Sequence, residues 1–153
     1  SLPLEGAALL AGLSNVQASE LGRAVLPLGV IFQIQDDILD LFGNKGRERP
    51  GTDLKEGKVS IFVVRHVQRC PEDRDLLLNL LKKPRELCTD QEIAHMIKRF
   101  DEAGTLEDVL NELWHKIALL RNEQTLLLFP HLHRCILDMT DLVTRPIAHL
   151  RKD

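Results

Sequence analysis

Apolar residues recur at intervals of three and four along almost the whole chain, and no stretch alternates apolar with polar side chains over more than a few positions. That spacing lays a hydrophobic stripe on one side of an α-helix and is incompatible with half-buried strands. Tyr is absent and no run is rich in Val, Ile, Thr and aromatics together, which removes the usual strand vocabulary. The expected fold class is all-α. With 153 residues, 44% of them hydrophobic, the chain has about one domain's worth of material and enough apolar surface to bury a core without a disulfide or a metal staple.

Local signals divide this pattern into segments. Pro3 opens a small-residue helix through LEGAALLAGL, broken by Gly12 to Asn15. Ser14 or Asn15 then caps a long helix that runs to Phe42, stops at Gly43 and carries Pro27 as an internal kink. Gly43 to Gly57 has four glycines, a proline and mixed charge without periodicity, and reads as a long loop. Helices follow from Ser60 to Arg69, from Pro71 or Glu72 to about Lys83, from a Thr89/Glu92 capping box to Gly104, from Thr105 to about Leu128, and from Pro130 to Thr144 or beyond.

The long helix carries the first chemical signal. On a helical wheel, Gly22, Leu26, Gly29, Gln33, Asp36, Asp37 and Asp40 share one face about 100° wide, while Leu21, Leu28, Ile31, Ile38, Leu39 and Phe42 cover most of the rest. A mostly apolar helix with one polar stripe is a buried helix lining a cavity. Three carboxylates within about a turn and a half repel one another by about 4 kcal/mol per close pair at an effective dielectric of 20. No Lys or Arg follows at the spacing that would neutralise them within the helix, so the charge is met from elsewhere. Hard oxygen donors suit Mg²⁺, which is commonly held by one or two carboxylates and substrate phosphates. The plain alternative is a solvated acidic turn near a helix C-terminus.

The loop that follows tips this balance. Lys45, Arg47, Arg49, Lys55 and Lys58 stand among glycines within about twenty residues of the carboxylates, and glycine lets backbone N–H groups approach phosphate oxygens. Carboxylates, a divalent cation and a basic glycine-rich loop together describe a diphosphate site.

FQIQDDILDLFG at Phe32 to Gly43, followed by GTDLKEGKVS at Gly51 to Ser60, resembles the second aspartate-rich motif and the following loop of the trans-isoprenyl diphosphate synthases, the polyprenyl synthetases. The resemblance implies a helical bundle of the isoprenoid synthase type, with residues 1–153 forming a single all-α region from the C-terminal part of such a domain. It implies that Asp36, Asp37 and Asp40 form the metal site, with Asp36 and Asp40 binding Mg²⁺ and Asp37 supporting them. Lys58 resembles the lysine that contacts the allylic diphosphate, Gln33 the glutamine facing the reacting end of the allylic chain, Phe32 the adjoining aromatic, and Asp53 the loop aspartate that organises the site. The lysine that the family carries ahead of that aspartate corresponds to Glu48, leaving Lys45, Arg47 or Arg49 to substitute. The implied reaction condenses an allylic diphosphate with isopentenyl diphosphate, and the implied assembly is a homodimer. The family's first aspartate-rich motif is absent from these residues, so the chain alone is not expected to catalyse. A non-catalytic helical subunit that binds or regulates a partner is the alternative, and a terpene cyclase is disfavoured by the GTDLKEGK loop.

Charge and cysteine content narrow the setting. Acidic residues number 23 against 20 basic, a net charge of -3, so no overall field draws the chain to nucleic acid. Cys70, Cys88 and Cys135 form no CxxC pair and leave an odd one over, the pattern of reduced packing thiols in a cytoplasmic protein. No apolar run approaches the roughly 18 residues of a membrane span, so no stable membrane insertion is expected. The scattered histidines do not suggest a zinc site, and Trp114, among periodic apolar residues, reads as core.

Overall fold

The computed structural model describes residues 2–43 and 50–151, which are mostly helical, with no strand among them. The all-α expectation therefore holds. The elements are α1 (Leu2–Leu10), α2 (Asn15–Ala24), α3 (Leu26–Phe42), α4 (Thr52–Lys55), α5 (Ile61–Arg69), α6 (Arg74–Lys82), α7 (Asp90–Glu102), α8 (Thr105–Arg121), α9 (Gln124–Leu127) and α10 (Pro130–Thr144), with 3-10 turns at Pro71–Asp73, Arg85–Leu87 and Arg145–Leu150.

Capping explains several boundaries. Ser14 caps α2 and Thr89 caps α7, each in a reciprocal capping box with the residue three further on, Gln17 and Glu92. The kink expected at Pro27 is a full break: α2 ends at Ala24 and α3 begins at Leu26. Pro27 has no N–H to bond back to the preceding turn, and its ring crowds the carbonyl four residues earlier, so separate helices replace one bent helix. The polar face drawn through Gly22 is consequently not continuous with that through Asp40. Thr105 is the first residue of α8 and fully buried, and the helix ends at Arg121, short of Leu128.

The elements fall into two compact groups. One comprises the chain up to Gln33 with Leu113–Arg145, the other Ile34–Glu112 with the chain from Pro146. In the first, α1 packs on α2, where Gly22 admits the side chain of Glu5: a Cβ there would stand 2.3 Å from a Glu5 carboxylate oxygen. In the second, Phe62 and Phe100 are fully buried, their rings 5.8 Å apart, with Phe42 5.4 Å from Phe62 and the His66 ring edge-on to Phe100 at 4.9 Å. Leu54, Leu77 and Met96 are among the other fully buried side chains of that group. No helix among the described residues is long and apolar enough to cross a membrane. Cys88 is buried as expected of a packing thiol, whereas Cys70 is half-buried and Cys135 exposed, and all three are unpaired with one another. Trp114 is half-buried on α8.

A candidate diphosphate site on α3 and its loop

The second group holds the acidic half of α3 and the loop that follows it. Asp36 is exposed, while Asp37 and Asp40 are each only 4% exposed. Their separation follows from where the chain goes after Phe42. The N–H of Asp53 donates to Asp40 Oδ2 at 3.0 Å, and the N–H of Ile61 donates to Asp37 Oδ2 at 3.0 Å. The carbonyl of Asp40 also accepts the N–H of Gly51 at 2.8 Å. The loop is thus sewn back onto the helix that precedes it. Among the described residues, the three carboxylates do not bring three oxygens within 4.8 Å of one another. α3 thus carries an exposed carboxylate beside two buried ones.

Within the loop the chain folds into a single helical turn, α4, where the sequence suggested irregular structure. Gly51 and Gly57 make this possible, with φ of 82° and 70°. Each is also pressed against a neighbour: a Cβ on Gly51 would meet Ile93 Cγ2 at 2.3 Å, and one on Gly57 the carbonyl oxygen of Leu81 at 2.5 Å. These glycines serve backbone geometry and close packing rather than lying open to a phosphate.

Lys58 follows directly. Its ammonium, more than half exposed, lies 2.7 Å from Asp53 Oδ1 and 2.9 Å from Glu56 Oε2, and Arg85 reaches Glu56 Oε1 at 3.0 Å. Asp53 first and Glu56 second hold the Lys58 amine well above the usual lysine range, so it is a permanent cation. The position of the Lys58 ammonium is therefore set by Asp53, itself tied to Asp40. Phe32 and Gln33 lie on α3 and are both exposed. Lys45, Arg47, Glu48 and Arg49 lie outside the described residues.

The donor atoms here are carboxylate oxygens, the chemistry that a hard cation such as Mg²⁺ prefers, and Asp36 offers its carboxylate at the surface. A second cluster, unanticipated from sequence, lies elsewhere in the same group. His66, Cys70 and Asp73 bring donor atoms within 4.8 Å. The fully buried His66 places Nε2 2.7 Å from Asp73 Oδ2 and Nδ1 3.0 Å from Thr105 Oγ1, and Arg99 grips Asp73 with two bonds of 2.7 and 2.5 Å. Arg99, followed by His66, holds the Asp73 carboxyl below the usual carboxylate range against a burial that opposes it. A carboxylate already neutralised by a guanidinium repays a metal ion poorly, and this network ties the end of α5 to α7 and α8 instead.

The family model for polyprenyl synthetase matches residues 1–99. Farnesyl pyrophosphate synthase 2 of Arabidopsis thaliana is 28% identical over 120 residues, covering 78% of this chain and 35% of that protein. The farnesyl pyrophosphate synthases of Gallus gallus and Homo sapiens are 40% and 38% identical over 79 residues, half of this chain and 22% and 19% of theirs. No solved structure matches. The chain belongs to the polyprenyl synthetase family, and spans about a fifth to a third of the length of the curated relatives it matches.

Proposed function

We propose that the protein is a Mg²⁺-dependent prenyltransferase that condenses an allylic diphosphate with isopentenyl diphosphate, and that this chain supplies the half of the site that receives the allylic diphosphate. The observation that carries the reading is the fixed Lys58 ammonium, held by Asp53 on a loop bound to the same helix that presents Asp36. Bound Mg²⁺ would neutralise diphosphate charge as the allylic C–O bond breaks, the kind of electrostatic stabilisation that dominates many catalysed steps. Asp36 holds that cation from the protein side. Lys58 takes part of the diphosphate charge, and Asp53 aims it. Gln33 and Phe32 face the allylic carbons, where a polar group of low nucleophilicity and an aromatic face tolerate a carbocation. A homodimer in the cytoplasm belongs to the same reading.

The test is turnover of the intact protein with isopentenyl diphosphate and an allylic diphosphate. Asp36→Ala is expected to lower kcat by at least about a hundredfold while the thermal midpoint stays put, since removing one of several like charges relieves repulsion. Turnover preserved within a few-fold would remove Asp36 from the site.

A further inference from the structure

We propose that Arg85 is a second cationic contact for the diphosphate, set beside Lys58 by the Glu56 carboxylate that the two share. The proposal rests on the diphosphate reading above and adds to it a residue from outside both α3 and the GTDLKEGKVS loop.

Arg85 lies 29 positions beyond Glu56, so its place follows from how the chain returns rather than from helical spacing. α4 packs on α6. Gly57, between Glu56 and Lys58, comes so close to the C-terminal end of α6 that a Cβ would stand 2.5 Å from the Leu81 carbonyl oxygen. Only glycine permits that approach at a φ of 70°. Just past this contact α6 ends at Lys82, Lys83 and Pro84 run extended with ψ of 137° and 140°, and Arg85 opens the 3-10 turn Arg85–Leu87. Pro84 cannot continue the helix, and it holds the residue before it extended as well. The turn thus delivers Arg85 to the loop, where its Nη1 donates to Glu56 Oε1 at 3.0 Å while Lys58 Nζ meets Glu56 Oε2 at 2.9 Å.

One carboxylate therefore holds two cations, one on each oxygen, and keeps them no more than about 8 Å apart, within reach of both phosphoryl groups of one diphosphate. The two cations offer different chemistry. Lys58 is a compact point charge steadied by Asp53 as well. Arg85 has a planar guanidinium whose bond to Glu56 uses Nη1, leaving Nη2 and Nε to donate to phosphoryl oxygens. Both side chains are more than half exposed, so a ligand reaches them without displacing packed groups. Exposed ion pairs contribute little to stability, so folding gains little from the Arg85–Glu56 pair.

Calorimetric titration of the intact protein with a non-hydrolysable allylic diphosphate analogue and Mg²⁺, beside steady-state turnover, tests the assignment. Arg85→Ala is expected to weaken the analogue about tenfold and to raise the KM of the allylic diphosphate by a similar factor, while the KM of isopentenyl diphosphate stays within about twofold and the thermal midpoint is unchanged. Arg85→Gln keeps an N–H donor for Glu56 but loses the charge, so it should weaken binding as much as Arg85→Ala does. In the double variant with Lys58→Ala the two losses should multiply to within about threefold, as they do for groups that each meet the ligand. A loss in Lys58→Ala with none in Arg85→Ala and Arg85→Gln would overturn the role of Arg85 and leave the diphosphate reading standing; no loss in any of the three would remove both. If Arg85→Ala had no further effect once Lys58 was gone, Arg85 would act only through Lys58 and the direct contact would be overturned. An Arg85→Ala effect confined to isopentenyl diphosphate would overturn it too.

Discussion

Three aspartates are buried to nearly the same degree in the same group of helices, Asp37 and Asp40 at 4% exposed and Asp73 at 5%, yet their partners differ in kind. Asp73 meets a guanidinium and an imidazole. Asp37 and Asp40 meet backbone N–H groups. The first arrangement sets a guanidinium against the carboxylate; the second supplies it with a backbone donor. Burial of a carboxylate therefore says little about its role until its donors are named.

The contrast is sharpest where a full charge is removed. Arg99→Ala leaves the buried Asp73 carboxylate without its guanidinium partner, and is expected to give the largest loss of stability of the set in denaturant unfolding. Because the folded Asp73 carboxyl titrates below its unfolded value of about 3.9, its contribution is complete above that pH and fades as pH falls below it, so the cost of Arg99→Ala should be constant from pH 7 to 5 and shrink below about 4. Gly57→Ala comes next, at about 2 kcal/mol, since it forces a side chain into a left-handed turn and against the Leu81 carbonyl. Asp37→Ala removes one helix cap and should cost about 1 kcal/mol, with Asp37→Asn costing less. If it cost as much as Arg99→Ala, the distinction between charge partners and backbone partners would fail. The smallest effect belongs to Glu92, whose carboxyl is brought down to about 2 by Lys83 first and then by the Thr89 N–H and hydroxyl. Lys83→Ala should move its NMR titration back toward the ordinary glutamate value with little change in stability.

Much of this was legible in the residue order. Periodicity and end signals located most helices, and the boxes at Ser14/Gln17 and Thr89/Glu92 are local patterns of four residues. Pro27 was visible too, but whether a proline bends or ends a helix depends on whether neighbours refill the lost bond, which the sequence does not state. α4 escaped notice because a four-residue turn between glycines has no period to read. The aspartates stood out as a cluster, whereas their donors, the N–H groups of Asp53 and Ile61, are backbone atoms present at every position and carry no sequence signal. Asp73 depends on Arg99, 26 residues on, and His66 on Thr105, 39 residues on, distances over which helical spacing says nothing.

Calorimetric titration of the intact protein with a non-hydrolysable allylic diphosphate analogue, with and without Mg²⁺, tests most directly whether α3 and its loop receive a diphosphate. Binding should require Mg²⁺ and weaken by roughly tenfold or more in both Asp36→Asn and Lys58→Ala, since each loses a charge facing the ligand. Equal affinity without Mg²⁺, or equal affinity in both variants, would contradict that assignment.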